Sequence, residues 1–363
     1  MPIRLEPRGG HSPLWRYASP LLALALTLAT AAVIFAALGK DPLQSLYTFF
    51  VSPLTSATGR PELFVKAAPL VLIAVGLSLG FRANVWNIGA EGQYTIGAIL
   101  GGGVGLALYG DGNPLTFPAM MFGGLAGGMA WAAIPAFLRT RFNANEILTS
   151  LMLTYVAQLL LIYLVAGPWR DPEGYGFPQS RMFDDFGTPP ILIAGTRLHL
   201  GVLAALAVVG LGWLLLARTL IGFQLKVVGQ APRAARYAGF SQSRLIWFSM
   251  LVGGGLAGLA GLFEVAGPVG QLTPQISPGY GFTAIIVAFL GRLHPVGVLF
   301  AGLLLALSYL GGEKAQIELG MPNAVTGIFQ GILLFYLLAC DLLILYRLRI
   351  GRRGAAATAG AAS

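Results

Sequence analysis

"FRANVWNIGAEGQYTIGAILGG", residues 81–102, carries one arginine, two asparagines, one glutamate and one glutamine within its first thirteen positions. Long apolar stretches flank this segment on both sides. Unsatisfied polar groups in lipid hydrocarbon cost several kcal/mol each, so these side chains must face protein, water or a cavity. We therefore expect the segment to interrupt a membrane-embedded fold at a point where polar groups are needed.

The composition of the whole chain supports a membrane location. Of its 363 residues, 56% are hydrophobic and only 10% are charged, with a mean hydropathy of +0.74. A soluble domain has about 25% charged residues. The apolar residues form long blocks and do not alternate with polar ones, which excludes an outer-membrane β-barrel. The predicted class is therefore an all-α, polytopic membrane protein.

The apolar blocks predict about ten transmembrane helices, within a range of eight to ten. Each block approaches the roughly 20 residues that a helix needs to cross a bilayer. One block, 279–291, is short, and nine spans result if it is re-entrant. The predicted spans lie near 20–38, 66–81, 88–109, 115–138, 146–166, 198–217, 245–265, 279–291, 295–312 and 322–346.

The charged residues predict an orientation with both termini in the cytoplasm. With ten spans, sixteen of the 23 Lys and Arg residues fall on the inner side, and nine of the 14 acidic residues fall outside. This distribution follows the positive-inside rule. The net charge of +9 is explained in the same way, so it gives no reason to expect nucleic acid as a partner.

The chain divides into segments of different character. Residues 1–19 are expected to be a cytoplasmic N-terminal segment, and residues 20–346 a transmembrane domain. Within that domain, 167–197 is a long outer loop and 218–244 a long inner loop. Residues 347–363 are basic and then rich in Ala and Gly, and we expect a disordered cytoplasmic tail.

Two parts of the chain resemble each other weakly. Residues 70–92 and residues 278–302 are both short apolar segments that run into glycines and polar side chains. Paired short segments interrupted by Gly or Pro indicate a solute pathway between structural repeats. We therefore expect two related halves with short broken or re-entrant helices near the middle of the membrane.

Four polar side chains of the opening segment are candidates for the solute pathway: Asn84, Asn87, Glu91 and Gln93. They offer donors and acceptors to a polar solute in a hydrated route. A structural role is the alternative, in which Asn87 caps the following helix and Glu91 is favoured by the dipole of its first turn.

Three further residues are weaker candidates for the pathway. Trp86 offers a ring face on which a planar solute can stack, although core packing is the alternative. Either Asn143 or Asn145 can cap a helix, and Glu146 then lies just inside its first turn. Glu264 lies near the outer end of the seventh span.

The inner loop 218–244 contains five basic residues and no acidic one. Pro232 suits the first turn of a helix and Gly239 suits its C-terminal stop. This pattern predicts a short helix outside the membrane that needs a partner surface. Contact with anionic lipid head groups is the alternative.

Several motifs resemble one family of transporters. "RAARYAG", residues 233–239, is similar to the EAA-type coupling loop of bacterial ABC-importer permeases, although Arg233 stands where that loop often has glutamate. "NVWNIGAEGQYTIGA" (84–98), "NANEILTSLMLTYVA" (143–157) and "GYGFTAIIVAFLGRLHPVG" (279–297) resemble permeases of the branched-chain amino-acid/simple-sugar superfamily, especially its nucleoside-type branch. The resemblance covers roughly residues 65 to 340.

The resemblance implies a multi-pass subunit of an ATP-driven importer in the bacterial inner (plasma) membrane. It implies four kinds of partner: an ABC ATPase subunit, a second permease that is the same or a different chain, an external solute-binding protein and membrane lipid. The residues expected to contact the ATPase are Arg233, Ala234, Ala235, Arg236 and Gly239. The solute is expected to be a nucleoside, with simple sugars as the alternative.

The sequence favours neither an enzyme nor a cofactor-dependent protein. It lacks the phosphate-binding motif G-x-x-x-x-G-K-[ST], so ATP is expected to be bound by a partner subunit. The three histidines are far apart and the one cysteine, Cys340, cannot build a cysteine zinc site, so no cofactor, metal or catalytic residue is expected. An ion-driven secondary carrier remains the alternative from another class.

Overall fold

The computed structural model describes residues 3–7, 13–322 and 324–350. The elements in chain order are β1 (Ile3–Pro7), α1 (Pro13–Ala37), α2 (Pro42–Leu46), a π-helical turn (Tyr47–Val51), α3 (Ser52–Thr55), α4 (Gly59–Arg82), α5 (Ala90–Ala107), α6 (Thr116–Phe142), α7 (Glu146–Ala166), α8 (Leu200–Arg218), α9 (Leu220–Gln230), α10 (Pro232–Tyr237), α11 (Gln242–Glu264), a second π-helical turn (Val265–Val269), α12 (Tyr280–Leu290), α13 (Pro295–Leu319), α14 (Ala324–Leu345) and β2 (Tyr346–Ile350).

The predicted helical membrane fold is confirmed. Within the described ranges, eight helices are long and apolar enough to cross a membrane: Ala18–Ala37, Gly59–Arg82, Thr116–Phe142, Glu146–Ala166, Leu200–Arg218, Gln242–Val269, Pro295–Leu319 and Ala324–Asp341. The count of ten predicted spans is not reached. The two predicted spans that do not qualify correspond to α5, whose first turn is polar, and α12, which has only 11 residues. A helix of that length extends about 16 Å, roughly half of a bilayer's hydrocarbon core.

The chain forms two compact units. The first comprises Met1–Thr48 and Ala315–Ser363, as far as they are described. In it α1 packs against α14, and the Ser19 hydroxyl donates to Asp341 Oδ1 over 2.9 Å. Strand β1 pairs antiparallel with β2. Residues 347–350, which the sequence assigns to a disordered tail, thus lie in a strand, while 351–363 lie outside the described residues.

The second unit, Phe49–Lys314, is built around α4, α5, α6 and α11. Helix α4 is buried along most of its length. Glycines allow α5, α6 and α11 to approach backbone to backbone. A Cβ atom on Gly258 of α11 would overlap the carbonyl oxygen of Gly124 of α6, and one on Gly97 of α5 would overlap Gly258. Such close approach of small residues stabilises helix pairs in lipid, where the hydrophobic effect does not drive association.

Among the non-helical segments of this unit, two contribute to the site described below. The first, residues 83–89, lies between α4 and α5, and the second, residues 270–279, lies between the second π-helical turn and α12. We call them the first and the second break. Irregular backbone is tolerated at membrane depth only where it is buried in protein or lines a cavity. The two breaks are therefore the places where polar groups must find partners.

The inner loop contains the short helix that the sequence predicts. Helix α10 begins at Pro232, and Gly239 follows it with a φ of 78°, in the left-handed region that favours glycine. The preceding helix, α9, packs closely on the end of α4, because a Cβ atom on Gly229 would overlap the carbonyl oxygen of Arg82. The inner loop is therefore packed against the C-terminal end of α4.

We predict that Gly258→Ala lowers the stability of the second unit. The added methyl has no space between α5, α6 and α11, and overpacking of this kind costs about 1–3 kcal/mol. The thermal transition of the purified protein in detergent should fall accordingly. The matched control is Gly210→Ala on α8, where an added Cβ meets no atom within 4 Å. Equal transitions for the two variants would contradict this packing.

Candidate functional site

The first break begins with a left-handed turn at Asn84. Its φ is 57°, and the backbone N–H groups of Ala83 and Val85 both donate to the carbonyl oxygen of Gly80. Asparagine tolerates this conformation better than other residues with a Cβ. The exposed Asn84 side chain accepts a hydrogen bond from Trp86 Nε1 over 3.0 Å. Asn84 therefore terminates α4 and redirects the chain.

Asn87 and Gln93 form a reciprocal amide pair. Asn87 Nδ2 donates to Gln93 Oε1 over 2.8 Å, and Gln93 Nε2 donates to Asn87 Oδ1 over 3.0 Å. Asn87 Oδ1 also accepts from the N–H of Gly89 over 3.2 Å. The two side chains are 3% and 1% exposed. These buried hydrogen bonds hold the first break against the first turn of α5, and we call the pair the Asn87–Gln93 clasp.

Glu91 connects the beginnings of α5 and α12. It lies in the first turn of α5, is 2% exposed, and its Oε2 accepts from the N–H of Gly281 over 2.6 Å. Gly281 is in the first turn of α12, where backbone N–H groups lack helical partners. A Cβ atom at Gly281 would overlap the Glu91 backbone. The carboxylate thus satisfies donors of one broken helix while lying at the positive end of another.

A cavity of about 210 Å³ adjoins Glu91. Its walls come from α5, α7 and the second break, and they comprise Glu91, Thr95, Gln158, Leu161, Ile162, Pro274, Gln275, Ile276 and Ser277. The lining combines one carboxylate, two amides and two hydroxyls with four apolar side chains. Among the described residues that line it, none is basic. The cavity can therefore satisfy a solute that is polar but carries no negative charge.

Three tyrosines, Tyr94, Tyr280 and Tyr309, pack in a row, and one of them holds a wall of the cavity in place. The Tyr94 hydroxyl donates to the carbonyl oxygen of Ile276 over 3.2 Å and so holds the second break in place. The Tyr94 ring meets the ring of Tyr280 edge-on at 6.3 Å, and Tyr280 meets Tyr309 at 5.3 Å. All three tyrosines are buried. The wall of the cavity formed by Ile276 is therefore fixed to α5 by a directional bond.

Glu146 serves as a junction between three segments. Asn145 caps α7 by accepting from the N–H groups of Ile147 and Leu148, and this fixes the first turn in which Glu146 lies. The buried Glu146 carboxylate pairs with Arg139 at the end of α6 and accepts from the N–H of Trp86 over 3.3 Å. Glu146 therefore ties the first break to α6 and α7, and it does not line the cavity.

Trp86 packs with two phenylalanines. Its ring lies 5.1 Å from Phe81 and 5.8 Å from Phe289, measured between centroids, and Phe81 lies 5.2 Å from Phe289. The core-packing alternative for Trp86 is therefore the one that the geometry shows. Glu264 ends α11 immediately before the second π-helical turn, and it is not among the cavity residues.

Of the seven pathway candidates, the structure brings only Glu91 to the cavity. The polar residues of the cavity that are not among these candidates are Thr95, Gln158, Gln275 and Ser277. Gln158 carries a sequence signal, because it follows Thr154 at helical spacing in an otherwise apolar span. Gln275 and Ser277 lie in the second break, where no periodicity marks them. In the part of the chain that the structure describes, no group of His, Cys, Asp and Glu side chains is arranged to hold a metal.

The predicted coupling residues present one exposed surface. Arg233, Ala234, Arg236 and Gly239 are exposed on α10 and its C-terminal turn, and we call this the α10 surface. Ala235 points the other way: it is buried in one cluster with Ala83 and Val85 of the first break, Leu225 and Val228 of α9, and residues of α4, α6 and α11. The α10 surface is thus basic on its exposed side. On the opposite side of α10, Ala235 packs against the ends of α4, α6 and α11.

Comparison with known proteins identifies relatives along the whole chain. The family model described as the permease component of the branched-chain amino acid transport system matches residues 61–338. The glucose ABC transporter permease protein TsgB13 of Haloferax volcanii is 38% identical, over 99% of this chain and 97% of its own length. The guanosine ABC transporter permease protein NupP of Bacillus subtilis is 30% identical, over 87% and 91%.

A third relative is the nucleoside ABC transporter permease protein NupB of Lactococcus lactis, which is 26% identical over 88% of this chain and 89% of its own length. Each of these three organisms contributes a second matching permease protein with the same named solute. They are the putative glucose permease TsgC13 of Haloferax volcanii, at 31% identity, NupQ of Bacillus subtilis, at 27%, and NupC of Lactococcus lactis, at 25%.

We predict that Asn87 and Gln93 are energetically coupled. Asn87→Leu leaves the buried Gln93 amide without partners, at a cost of about 1–3 kcal/mol in the free energy of unfolding. Gln93→Leu should behave alike. The double variant should be more stable than the sum of the two losses implies, because neither amide is then orphaned. Thermal unfolding of the three variants measures this coupling, and strictly additive losses would show that the two amides do not depend on each other.

Proposed function

The chain belongs to the family of permease components of branched-chain amino acid transport systems, and from this premise we propose that it forms the pathway for an uncharged polar solute, most simply a nucleoside. It is a permease subunit of an ABC importer, and the ATPase of such an importer is a separate subunit. The observation that carries the proposal is the cavity of about 210 Å³ beside Glu91.

The size and charge of the cavity limit the solute. Its volume lies below the roughly 300–1,000 Å³ of pockets that hold drug-sized ligands, so one small molecule fits. The cavity carries a carboxylate and no basic side chain, so an anionic solute such as a phosphorylated sugar would enter without a counter-charge. These features favour a neutral molecule with several hydrogen-bonding groups.

The distribution of polar and apolar side chains favours a nucleoside. Leu161, Ile162 and Pro274 provide apolar contact for the faces of a flat base, and Gln158 and Gln275 provide donors and acceptors for its edges. A hexose has hydroxyl groups on most of its periphery, and hydroxyls buried against apolar walls lose hydrogen bonds. The sugar alternative has one specific argument, which is the 38% identity to a permease named for glucose.

Uptake into vesicles that contain the complete transporter tests the solute assignment. We expect ATP-dependent uptake of radiolabelled nucleosides, competition by unlabelled nucleosides, and little competition by glucose. Uptake should persist when proton and sodium gradients are collapsed and stop when ATP hydrolysis is blocked. Competition by glucose alone would establish the sugar alternative, and loss of uptake on collapse of the gradients would establish an ion-driven carrier.

The expected partners follow from the family and from the orientation of the chain in the membrane that we propose. Three pairs of relatives, each pair named for the same solute, favour a companion permease that is a different but related chain. We place both termini and the α10 surface in the cytoplasm, on the strength of the charge distribution, with an external solute-binding protein on the opposite side. The membrane would be the inner membrane of a bacterium, and no cofactor of the permease itself is required.

The α10 surface is suited to receive an ATPase subunit. Its exposed Arg233 and Arg236 can contact acidic groups, and Ala235 anchors the helix among the ends of α4, α6 and α11. A movement imposed on α10 would therefore displace helix ends and not only a loop. The lipid alternative requires an apolar face beside the basic side chains, whereas the exposed residues of α10 are Pro232, Arg233, Ala234, Arg236 and Tyr237.

We predict that Gln158→Leu weakens uptake of the solute. Loss of a hydrogen bond to a bound solute costs about 1–3 kcal/mol, which corresponds to roughly a 5- to 150-fold higher half-saturation concentration. Co-purification of the ATPase subunit should be unchanged. The matched control is Thr149→Val on the same helix, because Thr149 lies outside the cavity and bonds its own helix backbone. An unaltered half-saturation concentration in Gln158→Leu would remove this residue from the pathway.

We also predict that Gly239→Val uncouples ATP hydrolysis from uptake. Residue 239 has a left-handed φ, which costs a β-branched residue about 1–2 kcal/mol or more, and a distorted end of α10 would alter its docking. The number of ATP molecules hydrolysed per solute taken up should rise, with membrane insertion intact. Gly239→Asn is the control, because asparagine tolerates this conformation and an added Cβ meets no atom. Normal coupling in Gly239→Val would argue against docking at this surface.

A further inference from the structure

The α7–α8 loop, residues 167–199, is bonded to the second break through its backbone. The N–H of Ser180 donates to the carbonyl oxygen of Leu272 over 2.9 Å, and the N–H of Leu272 donates to Ser180 Oγ over 2.9 Å. The N–H of Phe183 donates to the carbonyl oxygen of Gly270 over 2.9 Å. The loop therefore runs beside the second break as a neighbouring strand would, although neither segment forms a sheet.

A hydrogen bond between two side chains extends this row of contacts by one more position. Gln271 Nε2 donates to Gln179 Oε1 over 3.2 Å. Ser180 and Leu272 are both fully buried, so the seam is not a surface contact. Four hydrogen bonds thus join residues 179–183 to residues 270–272, and we call this contact the loop seam.

The rest of the α7–α8 loop is also docked. Phe183 is buried, and its ring lies where a Cβ atom on Gly105 of α5 would meet it at 3.1 Å. The Trp169 ring lies over Gly103 of α5, at 2.7 Å from such a Cβ atom. The loop is therefore held between α5 and the second break, and it is longer than loops that only connect two helices.

The second break continues directly from the seam into the cavity. Leu272 is two residues before Pro274, the first of the four consecutive cavity residues that end at Ser277. The same segment then reaches α12, whose first turn bonds Glu91. Because hydrogen bonds are short and directional, a displacement of the loop at the seam must either break the seam or move the cavity wall.

The backbone before the seam is suited to bend. The π-helical turn Val265–Val269 ends α11, and Gly270 follows it with a φ of 76°. A π-helical turn leaves part of the helical hydrogen-bond ladder loose, and it is frequent at functional sites. A glycine in the left-handed region can change conformation at low steric cost. Both features lie directly between α11 and the wall of the cavity.

We propose that the α7–α8 loop is a movable support for the wall that the second break forms in the solute cavity. In the arrangement seen here the seam is closed and the loop supports residues 270–277. Opening of the seam, with Gly270 as the joint, moves those residues and gives the solute access from the loop side. The inference rests on the proposed function, since it takes the cavity to be part of the solute pathway.

A reversible bridge across the seam tests this mechanism. Cys340 is the only cysteine of the chain, so Cys340→Ala gives a background into which Gln179→Cys and Gln271→Cys can be placed. In vesicles that contain the complete transporter, a short bifunctional methanethiosulfonate joins the two thiols, and mass spectrometry of the digest measures the extent of bridging. We expect ATP-dependent uptake to fall by about tenfold or more on bridging and to return on reduction, because a lid that cannot open blocks the cycle.

The matched control is a bridge within the loop. Asp171 and Arg181 form an ion pair at 3.9 Å, so Asp171→Cys with Arg181→Cys in the same background restrains the loop without joining it to the second break. Uptake should change little. Full uptake by the protein bridged between 179 and 271 would overturn the proposal, and so would failure of that pair to bridge while both thiols react singly, because the seam would then not exist.

The assignment of the cavity as the solute pathway and the movement of the α7–α8 loop can be tested separately. If Gln158→Leu leaves uptake unchanged while the bridge still blocks it, the loop moves but the cavity is not the pathway. If Gln158→Leu weakens uptake while the bridged transporter remains active, the cavity stands as the pathway and the loop stays closed throughout the cycle.

Discussion

The architecture depends on the bond between Glu91 and the first turn of α12. Helix N-termini have N–H groups without helical partners, and in a membrane no bulk water replaces those partners. A chain that breaks two helices at membrane depth must therefore supply acceptors from its own side chains. Glu91 does so for α12 over 2.6 Å while lying in the first turn of α5. The polar interruption in an apolar sequence is the consequence of this requirement.

The surrounding helices make this arrangement rigid. Helix α5 approaches α7 so closely that a Cβ atom on Gly92 would overlap the backbone of Thr154 at 2.7 Å. The Asn87–Gln93 clasp and the Glu146 junction fix the first break from two directions. The second break is held by one hydrogen bond from Tyr94 and by the four hydrogen bonds of the loop seam. One side of the cavity is thus a fixed scaffold, and the other is attached by contacts that can separate.

Much of the fold follows from the sequence, because apolar length, charge distribution and terminal residues act locally. Pro232 and Gly239 locate α10 for the same reason. The cavity could not be predicted in this way. Glu91 and Gly281 are 190 residues apart, and their contact depends on how α5 and α12 pack. Trp86 gives a second example, because the sequence does not reveal that its ring stacks with Phe289, 203 residues away.

The position of the first break explains why the polar segment follows α4 immediately. Val85 is buried in one cluster with Ala235 of α10, and six residues later Glu91 lines the cavity. Between Val85 and Glu91, the hydrogen bonds of the Asn87–Gln93 clasp hold the backbone in one conformation. If α10 moves as the proposed docking requires, the short length of backbone between Val85 and Glu91, held by the Asn87–Gln93 hydrogen bonds, would connect that movement to the cavity. A first break made of apolar residues would pack as well against lipid, but it would have no directional hydrogen bonds. It would therefore change its own conformation when α10 moved and would not pass the movement on to the cavity.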